Sequence, residues 1–101
     1  MINTNFYLIE LLVRNHSGVM SHITGLFARR AFNLEGILCA QTGDGSTSKM
    51  FLLVKNDSVL EQIIKQLEKL YDVLEVSLHQ DYDQSVFESL DKVLKIKHEE
   101  I

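Results

Sequence analysis

Residues 6–13 (Phe-Tyr-Leu-Ile-Glu-Leu-Leu-Val) are apolar on every position but one, Glu10. In an extended chain, Phe6, Leu8 and Leu12 face one side and Tyr7, Ile9, Leu11 and Val13 the other. A strand that is apolar on both faces must be covered on both. The run is far too short to cross a membrane as a helix, so it is a strand inside a folded domain. Any fold for this chain has to supply two covers for that strand.

The rest of the chain supplies elements in a regular order. Residues 19–31 place Val19, Ile23, Leu26 and Phe27 at helical spacing. Gly25 in the middle of that helix costs roughly 1 kcal/mol relative to alanine, which predicts another element packed closely against it. Residues 34–41 read as a second strand, 42–47 (Thr-Gly-Asp-Gly-Ser-Thr) as turn chemistry, and 50–54 as a third strand. The Gly-x-Gly in that turn is a hairpin and not a phosphate loop, because no helix follows it. Ser58 and Glu61 have capping-box spacing ahead of an apolar stripe, Leu60, Ile63, Ile64, Leu67 and Leu70, and Glu61 precedes Lys65 by one turn. Residues 73–79 then alternate, Leu74, Val76 and Leu78 against Glu75, Ser77 and His79, as a strand with one wet face.

The order is β-α-β-β-α-β. With right-handed crossovers it gives the α+β, ferredoxin-like fold: a four-stranded antiparallel sheet with both helices on one face. That domain occupies residues 1–80. Two helices cover one face only, so a second copy of the chain is the economical cover for the rest of the first strand. Residues 81–101 form a tail. Ser85 and Glu88 repeat the capping-box spacing, and Phe87, Leu90, Val93 and Leu94 share a face, which predicts a third helix of about three turns. This helix either folds back on the open sheet face or docks on a partner through Phe87, Leu90 and Leu94. Lys95, Lys97, Glu99 and Glu100 read as a frayed end.

Charge and residue types exclude several function classes. A net charge of -4 argues against nucleic-acid binding, and Arg29-Arg30 reads as a pair of cations at a helix C-terminus. One cysteine, Cys39, lies in an apolar run and reads as a small buried hydrophobe in a reducing compartment. With neither a signal pattern nor a membrane span, the expected location is the cytoplasm. His16, His22, His79 and His98 are scattered, and no metal site is expected. No P-loop, nucleophile elbow or Cys–His pattern is present. Arg14 and Asn15 supply the residue types of an acylphosphatase, but adjacent loop residues cannot form that site, and its Gly-rich phosphate loop is missing. It stays as an alternative.

What remains is the turn Arg14-Asn15-His16-Ser17-Gly18-Val19-Met20, where a strand hands over to a helix. Free backbone N–H groups and the positive end of the helix dipole suit a carboxylate there. The Asn15 carbonyl suits an ammonium, and Val19, Met20 and Ile37 suit a hydrocarbon group, together an aliphatic amino acid. Asn15 and Ser17 are also the ordinary residues of a helix cap, and taken alone they read as one.

The same turn, followed by Gly25-Leu26-Phe27-Ala28-Arg29-Arg30-Ala31-Phe32-Asn33-Leu34-Glu35-Gly36-Ile37, closely resembles the ACT domain of the regulatory small subunit of acetolactate synthase (acetohydroxyacid synthase). Val59-Leu60-Glu61-Gln62-Ile63 and residues 67–76 are similar to the same family, so the resemblance spans roughly residues 6–80. It implies a non-catalytic subunit that activates a catalytic large subunit and confers feedback inhibition by a branched-chain amino acid, usually valine. Thiamine diphosphate, magnesium and FAD are then expected in the catalytic subunit and none in this chain. The resemblance also implies a homodimer with the effector between copies. Asn15, His16, Ser17, Gly18, Val19 and Met20 would come from one copy, and Asn33, Leu34 and Ile37 from the second strand of the other. Two departures stand out. Ser17 occupies a position where many members have proline, and only residues 81–101 follow the ACT domain, as in the short bacterial type. An ACT sensor serving another enzyme is the nearest variant of this reading.

Overall fold

The computed structural model describes residues 5–97. Strand β1 (Phe6–Arg14) leads into helix α1 (Val19–Arg29), strand β2 (Gly36–Thr42), strand β3 (Thr47–Lys55), helix α2 (Leu60–Glu68) and strand β4 (Val73–His79). The sheet is antiparallel, in the order β2-β3-β1-β4. This is the expected βαββαβ, ferredoxin-like arrangement, and β1 is one of its two inner strands.

Ile9, Leu11 and Val13 on one face of β1 are buried with Met50, Leu52 and Val54 of β3. Val19, Ile23, Leu26 and Phe27 of α1 and Leu60, Ile63 and Leu67 of α2 close over them. The apolar stripes of both helices therefore lie on the same sheet face. The Glu61–Lys65 pair forms at 3.5 Å on the exposed side of α2.

Several local expectations are corrected. Helix α1 stops at Arg29, because Ala31 takes a positive φ of 52° that turns the chain out of the helix. Gly25 does not admit a neighbouring element: a Cβ there would meet only the Arg29 guanidinium, at 3.3 Å. Neither capping box forms. Asp57, one residue ahead of Ser58, accepts the Val59 N–H at 3.0 Å, and Asp83 accepts both the Ser85 N–H at 3.0 Å and the Ser85 hydroxyl at 2.6 Å. Both serine hydroxyls instead donate to the carboxylate just upstream, Ser58 to Asp57 and Ser85 to Asp83, so neither oxygen bonds the amide three residues on that a capping box requires. The alternation in β4 breaks at Leu74. The β1–β4 register shifts so that Val13 pairs with Val73, which is buried, while Leu74 is left exposed.

The second face of β1 is covered in part by the chain itself. The Phe87 ring lies on Gly36, where a Cβ would come within 2.7 Å of it, and beside Leu53. The Tyr82 hydroxyl donates to the Phe6 carbonyl at 3.4 Å. A cavity of about 100 Å³ remains between Phe6, Leu53, Tyr82 and Phe87. Of the two courses open to the tail, folding back is the one seen. The expected three-turn helix is instead two short ones, α3 (Ser85–Glu88) and α4 (Leu90–Val93), broken at Ser89 with φ −134° and ψ 44°. Most helix stability comes from packing an apolar face, and only the first of these turns has Phe87 seated on the sheet. Leu94 and Ile96 are exposed. The readings of His98, Glu99 and Glu100 fall outside the described residues.

Candidate functional site

The turn between β1 and α1 is held from two sides. Its entry is held by the hairpin between β2 and β3: the Asn15 N–H bonds the Ser46 carbonyl at 3.0 Å, and the Asn15 Nδ2 donates to the Gly45 carbonyl at 2.7 Å. That hairpin turn is formed by Gly43 and Gly45 at positive φ, with Asp44 accepting the Ser46 N–H, so the Gly-x-Gly is the hairpin expected. From the other side, the turn ahead of β4 holds Arg14. Its N–H bonds the Asp72 carbonyl at 2.9 Å, and its guanidinium lies 4.6 Å above the Tyr71 ring. His16 reaches the same turn, Nε2 to the Asp72 carboxylate at 2.6 Å.

Between these supports, Gly18 takes φ 88° and starts α1 with no side chain capping it. Ser17, expected as a cap, does not serve as one. The first-turn amides of a helix have no partner inside it; the Val19 N–H bonds the His16 carbonyl at 3.4 Å, and no side chain caps the Met20 and Ser21 N–H groups, so the positive end of α1 is open there. It lies beside a cleft of about 90 Å³ lined by Val13, Arg14, Asn15, His16, Val19 and Met20, together with Cys39, Ser48 and Met50. The Asn15 bond to Gly45 uses the amide nitrogen, so the side-chain oxygen is the group left to accept from a ligand. The cleft thus offers amide donors, one carbonyl acceptor and an apolar wall of Val19, Met20 and Met50.

Of the residues expected at the site, Asn15, His16, Val19 and Met20 converge on this cleft, and Ser17 and Gly18 shape the turn beside it. Asn33, Leu34 and Ile37 do not line it. Asn33 donates to Glu35 at 3.2 Å, Leu34 packs against the core, and Ile37 stands 40% exposed on β2. Ile37 is two residues along β2 from Cys39, roughly 7 Å further from the cleft.

Cys39, Ser48 and Met50 were not anticipated. The hairpin register was the signal that could have found them, since a turn over 43–46 sets Cys39 opposite Met50 and Gln41 opposite Ser48. Cys39 is exposed, contrary to expectation, because β2 is an edge strand that α1 and α2 do not cover. Partial burial still pushes its thiol pKa up. The acylphosphatase arrangement is not formed: the Arg14 guanidinium is stacked on Tyr71, and the Asn15 amide is occupied by Gly45. Among the described residues no cluster of His, Cys, Asp or Glu could hold a metal ion, and no helix is long and apolar enough to cross a membrane.

Comparison with known proteins bears on the same stretch of chain. A family model described as the AHAS small subunit-like ACT domain matches residues 9–75. The chain is 52% identical over 83 residues to the acetolactate synthase isozyme 1 small subunit of Escherichia coli K12, covering 82% of this chain and 85% of that one. It is 45% identical over 71 residues to the isozyme 3 small subunit of the same organism, covering 69% of this chain but 44% of that longer one. Among solved structures, the acetolactate synthase small subunit of Thermotoga maritima superposes with a TM-score of 0.65 at 38% identity, over 72% of this chain and 46% of that one. The regulatory subunit of aspartate kinase from Thermus thermophilus, ligand-free, reaches 0.66 at 20% identity, over 80% and 54%, and shares the fold. Matched in family over residues 9–75, which carry both supports of the cleft, and in fold over most of its length, the chain belongs to the acetolactate synthase small subunits, the regulatory subunits of that enzyme, through an ACT domain of their type.

Proposed function

We propose that the chain senses a branched-chain amino acid, valine foremost, and transmits its binding to the catalytic large subunit of acetolactate synthase as feedback inhibition. The observation that carries this reading is the uncapped N-terminus of α1, opening on a small cleft with an apolar wall and one amide oxygen. An α-carboxylate fits the amides, the ammonium fits Asn15, and a short aliphatic side chain fits beside Val19 and Met20. The seat is half of a site. Its other half, Asn33, Leu34 and Ile37, comes from a second copy in a homodimer, and the exposed Ile37 on an edge strand supports that pairing.

In this reading the chain is not itself an enzyme. Thiamine diphosphate, magnesium and FAD belong to the large subunit, which this chain activates in the cytoplasm. Docking on the large subunit falls to the tail. Phe87 is seated on its own sheet and Leu90 is half-buried, whereas Leu94 is exposed and placed to make that contact.

Calorimetric titration with valine, leucine and isoleucine tests the site. Valine should bind, and Asn15→Ala should weaken it by roughly tenfold or more, the worth of a hydrogen bond to a charged group. The same variant should abolish valine inhibition of the reconstituted enzyme yet leave its activation by the small subunit intact. Wild-type affinity in the Asn15→Ala protein sinks the assignment.

A further inference from the structure

The supports of the cleft differ in kind. Those from the hairpin and from Arg14 are main-chain bonds, an amide bond and a ring contact. The support from His16 depends on a proton. Its Nε2 lies 2.6 Å from the Asp72 carboxylate, and its Nδ1 lies 3.2 Å from the Ser17 carbonyl. Both partners are oxygen acceptors. A neutral imidazole has one N–H and can satisfy only one of them, whereas the imidazolium donates to both.

The fold brings Asp72 to this place deliberately. The register shift in β4 pairs Val13 with Val73 and sets the Asp72 carbonyl on the Arg14 N–H, so the Asp72 side chain overhangs the turn that follows. Bulges beside functional sites commonly re-aim a side chain in this way. The charged groups facing His16 are Asp72, from the turn between α2 and β4, and Arg14, from the end of β1.

We infer that His16 is a positioning residue, a doubly protonated latch that ties the α1 entry turn to Asp72 and so holds the open amides in place for their ligand. This rests on the amino-acid reading proposed above and deepens it: effector affinity becomes dependent on pH through a residue that need not touch the effector. The hydrogen bond to Asp72 raises the imidazole pKa most, the Ser17 carbonyl adds to it, and desolvation and Arg14 oppose them. With the folded pKa raised above the ordinary 6.5, the latch is closed below that value and opens as pH rises through the folded one.

The test uses the full chain, with proton NMR titration of the His16 ring, order parameters of the residue 17–21 amides, and calorimetry with valine at about pH 6 and about pH 8.5, either side of the imidazole range. The ring should titrate above the ordinary histidine value and return toward it in Asp72→Asn. The loop order parameters should fall between the two pH values, and valine should bind roughly two- to fivefold more weakly at the higher one, the scale of a solvent-exposed ion pair. In His16→Gln, which keeps the fold's apolar core untouched, affinity should be low and flat with pH. A wild-type ring that titrates at or below the ordinary value overturns the latch, as does a loop equally ordered at both pH values. Valine affinity in wild type that does not change with pH overturns it while leaving the amino-acid reading standing. If no branched-chain amino acid binds at either pH, the amino-acid reading fails, and the ring titration and loop order still decide the latch.

Discussion

Glu10, the one charge in the otherwise apolar first strand, shows how a single residue settles into a sheet face. It points away from the helices and takes both Lys49, at 2.8 Å, and His79, at 2.7 Å, from the flanking strands. Both are diagonal neighbours, Lys49 standing opposite Leu12 and His79 opposite Leu8, and long side chains reach across such diagonals to pair opposite charges. Lys49 first and His79 second hold the Glu10 carboxyl below its ordinary 4.5. A carboxylate with a depressed folded pKa contributes stability that is present above its unfolded value and lost as pH falls through the folded one. Melting curves from about pH 5 to about pH 3 should therefore show wild type losing stability with acid more steeply than Glu10→Gln, which has nothing there to protonate. Parallel acid profiles would show that the triad contributes nothing. The same residue scale explains the missed caps. Asp57 and Asp83 stand one and two residues upstream of the serines that matched the motif, and each ionised oxygen draws the serine hydroxyl to itself.

At the scale of elements, the tail and β2 are joined through a missing side chain. Gly36 lets the Phe87 ring lie on the sheet, and a Cβ there would approach the ring to 2.7 and 2.9 Å and Leu53 to 3.3 Å. The ring, on a four-residue helix at the edge of the fold, is what would move. Gly36→Ala should detach the tail without unfolding the domain. Limited proteolysis within residues 81–97 should speed up roughly tenfold, the equivalent of about half a buried phenyl ring, with the main thermal midpoint nearly unchanged. A tail equally protected in the variant would mean that Phe87 is not its anchor. Helix periodicity foretold an amphipathic tail but not its break at Ser89, because the pattern reports which face is apolar and not how much surface there is to bury it on.

At the scale of the molecule, the fold leaves β2 and β4 as edges, and β2 carries Ile37 and Cys39 uncovered by either helix. An edge strand with exposed apolar residues is a template for pairing, and lysine is the residue that blunts one. Ile37→Lys should shift the chain to monomer in sedimentation velocity and remove valine binding while the circular dichroism and melting of the domain persist. A dimer that survives the substitution and still binds valine would place the interface elsewhere. If valine bridges two copies, adding it should also tighten the dimer, because a ligand of one state stabilises that state.

The order of elements, the two-faced burial of β1, the apolar stripes of both helices and the hairpin turn between the second and third strands were all legible in the chain. Each depends on local spacing, period two for strands and 3.6 for helices, which residue types display directly. So was the entry turn of α1, where Asn15, Gly18 and Val19 lie within one short segment. Tertiary structure decided what depends on register between distant segments: that Val73 and not Leu74 turns inward, that Cys39, Ser48 and Met50 wall the cleft, and that Asp72 reaches across to His16. Those partners are brought together by strand pairing and a one-residue bulge, and a shift of one position along a strand reverses which side chains face the site.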